Sequence, residues 1–360
     1  MQTQTKINEF AFKNQNIFVG FDAHKKSWKV SIMVEDIYHK TFVQPPDPNK
    51  LHNYLCRNFP GGNYHSAYEA GFCGFWIHEK LQALGINSIV VNPADIPTTD
   101  KEKKQKDDKK DSMKIARSLR NGDLEAIYVP TSKTLEDRSL LRIRYALVKD
   151  LARIKNRIKS FLFFYGIEIP EVYCASRKWT RSFIQWLEQV ELNQDSGKKS
   201  LQTLIELLKY NHKKILALNK ELRKLAASEH YNQQIQLLRS IPGIALLTAM
   251  IIITEIETIL RFKDRDKLSS YIGLIPTTAS SGEKERVGEL TPRGNGFLRK
   301  AIIESAWVSI RFDPVLMLKY KELCKRMEPN KAIIRIARKL LNRIRFVLKS
   351  EEKYEMAVVK

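Results

Sequence analysis

The sequence has little cysteine and no long apolar run. Its four cysteines in 360 residues show no Cys-x-x-Cys or Cys/His spacing, which argues against a structural zinc site and a disulfide framework. The longest apolar stretch, residues 244–253, is broken by Thr248 and has about half of the ~20 residues that a membrane span needs. The polar start lacks the apolar segment of a secretory signal. We therefore expect a cytoplasmic protein with no membrane partner.

Negative charge is also scarce. Lys and Arg number 62 against 40 Asp and Glu, a formal charge of +22. Basic side chains neutralise phosphates and release condensed counterions, so nucleic acid is the leading expectation for a partner. The alternative at this point is a soluble or ribosome-associated protein that is merely basic.

The first 130 residues alternate strand and helix signals. Strands are predicted at 16–21, 28–34, 37–43, 64–69 and 86–91, and helices at 48–59 and 72–84. An antiparallel meander followed by helix, strand, helix and strand is the order of an α/β ribonuclease-H-like sheet. We therefore predict a ribonuclease-H-like domain over residues 1–130.

The remainder is predicted to be helical. Residues 95–111 are almost without apolar side chains, which indicates a mobile basic loop that carries Lys103, Lys104 and Lys106. Apolar residues spaced by three and four over 135–165 and 201–227 predict two long helices, which we expect to form an antiparallel coiled-coil arm within residues 131–230. Compact helical signals then predict a mainly α domain over 231–360.

Four acids are distinguished by position. Asp22 and Glu69 end the first and fourth predicted strands, and Asp108 and Asp111 begin a helix on one face. Converging carboxylates repel one another unless divalent cations lie between them, which is the layout of a two-metal phosphoryl-transfer site. Taken singly, each acid could equally be a turn residue, a helix cap or part of a solvated surface.

The residues around these acids resemble a known family. Val-Gly-Phe-Asp22-Ala-His, Tyr-Glu69-Ala-Gly, Val-Val-Asn-Pro and Asp108-Lys-Lys-Asp111 are similar to motifs of the four-acid (DEDD) transposases of insertion sequences. The family is IS one-ten, and the Glu-Ala-Gly and Asn-Pro-Ala-Asp-Ile-Pro stretches resemble its IS eleven-eleven subgroup. The resemblance implies a fold like the Holliday-junction resolvase RuvC, with Mg²⁺ or Mn²⁺ held by the four acids. Asp107 is the alternative third acid, because it lies four residues before Asp111.

The C-terminal region carries a second resemblance. Residues 238–244, which include Gly243, look like a helix-hairpin-helix element whose glycine turn offers backbone N–H groups to a DNA phosphate. The stretch from Pro276 to Ser281 and Gly282 resembles the family's transposase signature, in which the serine before glycine is the recombination nucleophile. This implies that Ser281 is the nucleophile, with Ser280 beside it. Because Ser-Ser-Gly is a common loop tripeptide, we expect the serine to lie in a loop. Candidate phosphate-binding cations in the same stretch are Arg286, Arg293 and Arg299.

The combined resemblance predicts an insertion-sequence transposase, or a DNA invertase of the same family. In this family a structured bridge RNA pairs with donor and target DNA, so the resemblance implies an RNA partner beside DNA. Synapsis of two DNAs needs more than one active site, so we expect a homo-oligomer. Two alternatives stay open: a RuvC-like Holliday-junction nuclease that uses water and leaves Ser281 idle, and an inactive relative that only binds nucleic acid.

Overall fold

The computed structural model describes residues 12–97, 108–173, 179–281 and 284–356, with the backbone alone at 108–110, 278–281 and 284–287. The chain divides into two compact units, Met1–Val129 and Pro130–Lys360. The predicted three-part division, with the arm as a region of its own, stays a prediction. The loop lysines Lys103, Lys104 and Lys106 lie outside the described residues.

The first unit is built on a five-stranded sheet, which confirms the predicted mixed α/β class. The strands lie in the order β3-β2-β1-β4-β5, with β1 antiparallel to β2 and parallel to β4. The elements are β1 (Asn16–Ala23), β2 (Trp28–Val34), β3 (Ile37–Gln44), α1 (Pro48–Asn58), β4 (Asn63–Glu69), α2 (Trp76–Ala83), β5 (Asn87–Val91) and α3 (Asp108–Asn121).

The core of this unit lies against the central strands. Phe21 stacks between Trp28 and Tyr68, with ring centroids 5.0 and 5.2 Å away, and all three side chains are buried. Large aromatic rings of this kind bury much apolar area and fix their neighbours through preferred offset geometries. Phe21 directly precedes Asp22 in β1, and Tyr68 directly precedes Glu69 in β4. The aromatic core therefore fixes the strand ends that carry the two acids.

The predicted start of the second helix was wrong. The sequence pattern placed it at Phe72, whereas α2 begins at Trp76. Gly74 adopts a φ of 61°, a left-handed conformation that a right-handed helix cannot include. The segment between β4 and α2 is therefore a turn.

Helix α3 packs closely on the middle of the sheet. A Cβ atom on Gly20 of β1 would lie 2.2 Å from the Ala116 nitrogen and 2.4 Å from the Ser112 oxygen. The buried Ser112 hydroxyl is 2.9 Å from the Ser31 hydroxyl of β2. Only a glycine lets the helix backbone approach the strand this closely.

The second unit is mainly helical, with one two-stranded sheet. Its elements are α4 (Ser132–Phe164), α5 (Arg181–Gln189), α6 (Asp195–Ala226), α7 (Glu229–Arg239), α8 (Leu246–Ile256), α9 (Arg265–Ile272), β6 (Pro276–Ser281), β7 (Lys284–Leu290), α10 (Gly296–Phe312), α11 (Pro314–Cys324) and α12 (Pro329–Ser350). Its main core gathers apolar residues of α7, α8, α10 and α12. Within the described ranges, no helix combines the length and apolar character needed to cross a membrane.

The two long helices α4 and α6 pack side by side in opposite directions. Arg144 near the start of α4 donates to Asn219 near the end of α6 at 2.6 Å. Leu162 at the end of α4 shares an apolar cluster with Leu201 at the start of α6. The predicted helix pair is present, whereas coiled-coil packing between the helices stays a prediction.

A carboxylate from a distant part of the chain caps the start of α4. Glu257 accepts bonds from the Thr131 nitrogen at 3.1 Å and from the Thr131 and Thr134 hydroxyls at 2.6 and 2.8 Å. Glu257 itself adopts a φ of 60°, which is uncommon for a residue with a Cβ atom. An acid at a helix N-terminus satisfies free N–H groups and interacts favourably with the helix dipole. These bonds offset the backbone strain.

The close approach at Gly20 gives a stability prediction. Gly20→Ala should lower the free energy of unfolding of the first unit by about 2 kcal/mol or more, because the new methyl group meets backbone atoms that cannot rotate away. Gly71→Ala is the matched control, since a Cβ atom there has nothing within 4 Å. Urea unfolding of both variants measures the difference. Equal stability of the two variants would contradict the close packing.

Candidate functional site

Two of the predicted acids end neighbouring parallel strands. The register pairs Phe21 of β1 with Tyr68 of β4, and the next residue on each strand is Asp22 and Glu69. Neighbouring strands lie about 4.8 Å apart, so the backbone places these two positions side by side. Both residues are partly buried.

The direction of α3 determines where the other two acids lie. Ser112 contacts Ser31, which pairs with Gly20, while Arg120 at the other end of α3 donates to Asp36 at 2.8 Å. Asp36 lies beyond the end of β2, so α3 runs antiparallel to β1. The N-terminus of α3 therefore points toward the sheet edge where β1 and β4 end.

The rise per residue of the helix and of the strand places the acidic positions of α3 and β1 at a similar distance beyond the contact between Ser112 and Gly20. Asp108 precedes Ser112 by about 6 Å along the helix axis, and Asp22 follows Gly20 by about 7 Å along the strand. Asp108 is four residues from Ser112, and Asp111 is four residues from Ile115. Ser112 and Ile115 are both fully buried, so the two acids occupy positions on the sheet-facing side of α3. The alternative third acid, Asp107, lies outside the described residues.

The described acids have cationic or titratable neighbours. His24 Nε2 lies 3.0 Å from the Asp22 carboxylate, a contact that the sequence did not single out. Lys114 Nζ lies 3.5 Å from the Asp111 carboxylate. Burial raises the pKa of the Cys73 thiol, a backbone hydrogen bond lowers it, and the nearby Asp22 carboxylate raises it further. Asp22 therefore lies near Cys73 as well as His24.

The donor chemistry suits a hard cation. Carboxylate oxygens are the ligands that Mg²⁺ prefers in proteins, and the four acid positions offer only such groups. However, among the side chains that the structure describes, no three His, Cys, Asp or Glu residues are close enough to hold a metal ion together. The predicted metal site is thus supported by residue type and backbone placement, with no assembled ligand set among those side chains.

The predicted nucleophile lies in a strand, and its prediction as a loop residue was wrong. Ser281 is the last residue of β6 and pairs with Lys284 of β7, and Ser280 pairs with Glu285. The Thr277 hydroxyl donates to the Glu289 carbonyl at 3.1 Å across the same pair. Thr277 and Thr278 are β-branched residues that favour extended backbone, a signal that the Ser-Ser-Gly pattern obscured. We call the paired strands β6 and β7 the serine hairpin.

The base of the serine hairpin is tied together from α10. Arg299, which was predicted to bind nucleic acid, donates through Nη1 to the Gly273 carbonyl at 3.1 Å and the Thr291 carbonyl at 2.7 Å. These carbonyls flank the two ends of the hairpin, so this nitrogen of Arg299 has a structural role. Of the other predicted cations, Arg293 lies at an exposed position just after the hairpin. Arg286 lies in β7, where it pairs with Ala279 of β6.

The predicted DNA-contacting glycine lies in a tight turn between α7 and α8. Gly243 has a φ of 92°, and a Cβ atom there would lie 2.3 Å from the Ser309 hydroxyl and 2.6 Å from the Ser305 carbonyl of α10. The Ser309 hydroxyl also donates to the Pro242 carbonyl at 2.6 Å. Close packing within the protein is thus one reason for glycine here. Its contact with a phosphate stays a prediction.

A buried carboxylate near the hairpin was missed from the sequence. Glu255 in α8 is fully buried and forms ion pairs with Arg138 and Arg142 of α4. The Asn295 side-chain amide also donates to Glu255, at 2.7 Å. One acid within the apolar stretch Ile-Ile-Ile-Thr-Glu-Ile was the available signal, because carboxylates are seldom buried without partners.

Comparison with known proteins covers both units. Residues 19–167 match a DEDD transposase model of the IS110 type, and residues 235–321 match the model described as "Transposase IS116/IS110/IS902 family". A protein of Sinorhizobium fredii named "Putative transposase y4rJ" is 31% identical over 76% of this chain and 74% of its own length. The chain belongs to the IS110 family of transposases.

Two further relatives are also named as transposases. "Transposase for insertion sequence element IS1111A" of Coxiella burnetii is 26% identical over 79% of this chain and 77% of its own length. "Putative transposase y4qE" of S. fredii is 29% identical over 69% of this chain, and the match spans 58% of that relative. The first matched region contains all four acids, and the second contains Gly243 and Ser281.

The acid positions of this IS110-family chain predict a stabilising metal effect. At about a hundred times its Kd, Mn²⁺ should stabilise the wild-type protein by about 2.7 kcal/mol, and Asp22→Asn or Glu69→Gln should lose most of that gain because each removes a ligand. Glu79→Gln, an exposed acid on α2, is the control. Thermal unfolding with and without Mn²⁺ measures the effect. Equal shifts in all four proteins would contradict metal binding by these acids.

Proposed function

We propose that this chain is the transposase of an IS110-type insertion sequence and that it cuts and rejoins DNA with four acids and one serine. The observation that carries the proposal is the presence of two separate family matches, one around the four acids and one around Ser281. A ribonuclease-H-like fold for the first unit is consistent with its strand order. A coiled-coil arm, a helix-hairpin-helix turn at Gly243 and membership of the IS1111 subgroup are further parts of the proposal.

The proposed reaction is a transfer of a phosphodiester to serine. The Ser281 oxygen attacks the scissile phosphorus, a serine-phosphate bond forms, and the bond from phosphorus to the departing DNA oxygen breaks. The serine proton ends on that oxygen as a DNA hydroxyl, and the reverse step on another DNA end completes recombination. Mg²⁺ or Mn²⁺, when bound by Asp22, Glu69, Asp108 and Asp111, would neutralise charge on the phosphate.

The proposed partners are DNA and a structured guide RNA. Support comes from the charge of +22 and from the two long helices, whose exposed surfaces carry many Lys and Arg residues. A homo-oligomer is proposed because strand exchange between two DNAs needs several cleavage events.

The serine reaction can be trapped. When the protein reacts with element-end DNA and its RNA and is then denatured, wild type should yield protein covalently joined to DNA, and Ser281→Ala should yield none. The variant should keep its stability within about 0.5 kcal/mol, since it loses one hydroxyl at a strand end. Gel analysis of labelled DNA, with thermal unfolding in parallel, measures both properties.

Ser280→Ala is the matched control for this experiment, because it changes the same residue type one position away in β6. It should retain at least part of the adduct formation. If Ser281→Ala recombined normally, the serine mechanism would be wrong. If Ser281→Ala still cut DNA with metal but formed no adduct, and wild type formed none either, a RuvC-like nuclease would be the better account.

Binding should depend steeply on salt. Each phosphate contact contributes a slope of about −0.9 to log K against log salt on duplex DNA. Substituting alanine for Lys103, Lys104 and Lys106 in one variant should reduce the magnitude of this slope by about 3. It should also weaken binding to all sequences alike. Titrations at several salt concentrations on two unrelated duplexes test this. An unchanged slope, or weaker binding to only one of the duplexes, would exclude these lysines as backbone contacts.

A further inference from the structure

Helix α8 contains one fully buried carboxylate that the proposed chemistry does not use. Glu255 is the next-to-last residue of α8 and has no exposed surface. An unpaired charge at such a position would be strongly destabilising, so its partners define what it does. These partners come from two directions.

On one side, Glu255 binds helix α4. Arg142 donates through Nε to Oε1 at 2.9 Å and through Nη2 to Oε2 at 3.0 Å, the bidentate geometry in which an arginine fixes a carboxylate in orientation as well as distance. Arg138, one turn earlier, lies 3.6 Å from the same carboxylate and donates to the Thr254 carbonyl. Two arginines of α4 therefore clamp the end of α8.

On the other side, Glu255 binds Asn295, the residue that caps the N-terminus of α10. Asn295 donates through its side-chain amide to Oε2 at 2.7 Å, and its side-chain oxygen caps α10 by accepting from the Leu298 nitrogen at 3.0 Å. The Asn295 backbone nitrogen donates to the Tyr271 carbonyl at 2.8 Å, and the Tyr271 hydroxyl donates to the Glu255 carbonyl at 2.8 Å. Asn295 is thus fixed at its side chain and its backbone.

These contacts end at the base of the serine hairpin. Gly294, next to Asn295, packs so tightly on Gly273 that a Cβ atom there would lie 2.6 Å from the Gly273 nitrogen. The backbone nitrogen of Thr291, directly after β7, donates at 3.0 Å to the carbonyl of Ile275, directly before β6. A displacement of Asn295 would therefore move the backbone before β6 and after β7, because the two glycines are packed too closely to absorb the shift.

We infer that Glu255 is a positioning residue that ties helix α4 to the base of the serine hairpin and so holds Ser281 in place for attack. The inference rests on the proposed function for its catalytic consequence, while the mechanical link rests on the contacts alone. A buried ion pair can often be replaced by apolar residues without loss of stability. A carboxylate is suited here because it can accept from Arg142 and Asn295 at the same time, in fixed directions.

Three variants test the link at different points. Glu255→Gln removes the charge while keeping the shape. Asn295→Ser deletes only the amide donor, because serine caps helices about as well as asparagine. Arg142→Lys keeps the positive charge on α4 and loses the bidentate geometry. Glu322→Gln is the control, an exposed acid of α11 that pairs with Lys319 of the same helix and with Arg326 just beyond its end.

The rate of adduct formation under single-turnover conditions is the first measurement. We expect each of the three variants to slow it by about tenfold or more, with DNA and RNA affinity unchanged and Glu322→Gln like wild type. The double variant of Glu255→Gln with Asn295→Ser should be no slower than the slower single variant, since both break one link. Rates that fall only as far as the folded fraction falls would overturn the inference.

Hydrogen exchange of the whole protein is the second measurement, and it needs no catalysis. Amides of residues 277–281 and 284–290 should exchange faster in Glu255→Gln and Asn295→Ser than in wild type, while the α12 amides stay unchanged. Hairpin exchange that matches wild type in both variants would overturn the link itself. A wild-type protein that forms no adduct would refute the serine mechanism, and the exchange result would then decide the link alone.

Discussion

The contact between helix α3 and strand β1 at Gly20 is the constraint on which the acid positions depend. A side chain at this point would hold the helix away from the sheet, and the Ser112 to Ser31 bond could not form at 2.9 Å. Because the helix is fixed both in height and in direction, its first turn reaches the edge where β1 and β4 end. Backbone packing therefore directs the end of α3 that carries Asp108 and Asp111 toward the strand ends that carry Asp22 and Glu69. The convergence of the four carboxylates on one metal site stays a prediction.

The serine hairpin is held by a different kind of interaction. Few apolar side chains are available in a short two-stranded sheet, and isolated hairpins are marginally stable. Directional polar contacts take over: Arg299 reaches carbonyls at both ends, and Asn295 connects the base to the buried Glu255. One unit thus positions its polar groups by close packing, and the other by arginine and carboxylate bonds. Because the serine hairpin is held by polar bonds, loss of a single charged side chain can change its position.

Much of the fold could be predicted because the spacing of apolar residues along the chain is a strong signal of secondary structure. The five strands and the long helices were found near their observed bounds, since alternation and three-four spacing report which face is buried. The acids could be singled out because each ends a strand or begins a helix. By contrast, the start of α2 depends on the backbone angle of Gly74, the strand at Ser281 depends on pairing with β7, and the role of Glu255 depends on arginines more than a hundred residues away. Local pattern carries no information on such contacts.

The cap that Glu257 provides for α4 has a consequence for synthesis. The acceptor lies 126 residues after the Thr131 amide that it binds, and at about 5 to 20 residues per second the ribosome needs roughly 6 to 25 s to add that stretch. During this interval the start of α4 lacks the Glu257 bonds, and the Thr131 hydroxyl, 3.3 Å from the Thr134 nitrogen, is a side-chain cap that is already present. Helix α4 is therefore synthesised early, and its N-terminal cap is completed late, after α8 has left the ribosome. In a nascent chain stalled before residue 257, the N-terminus of α4 would be frayed.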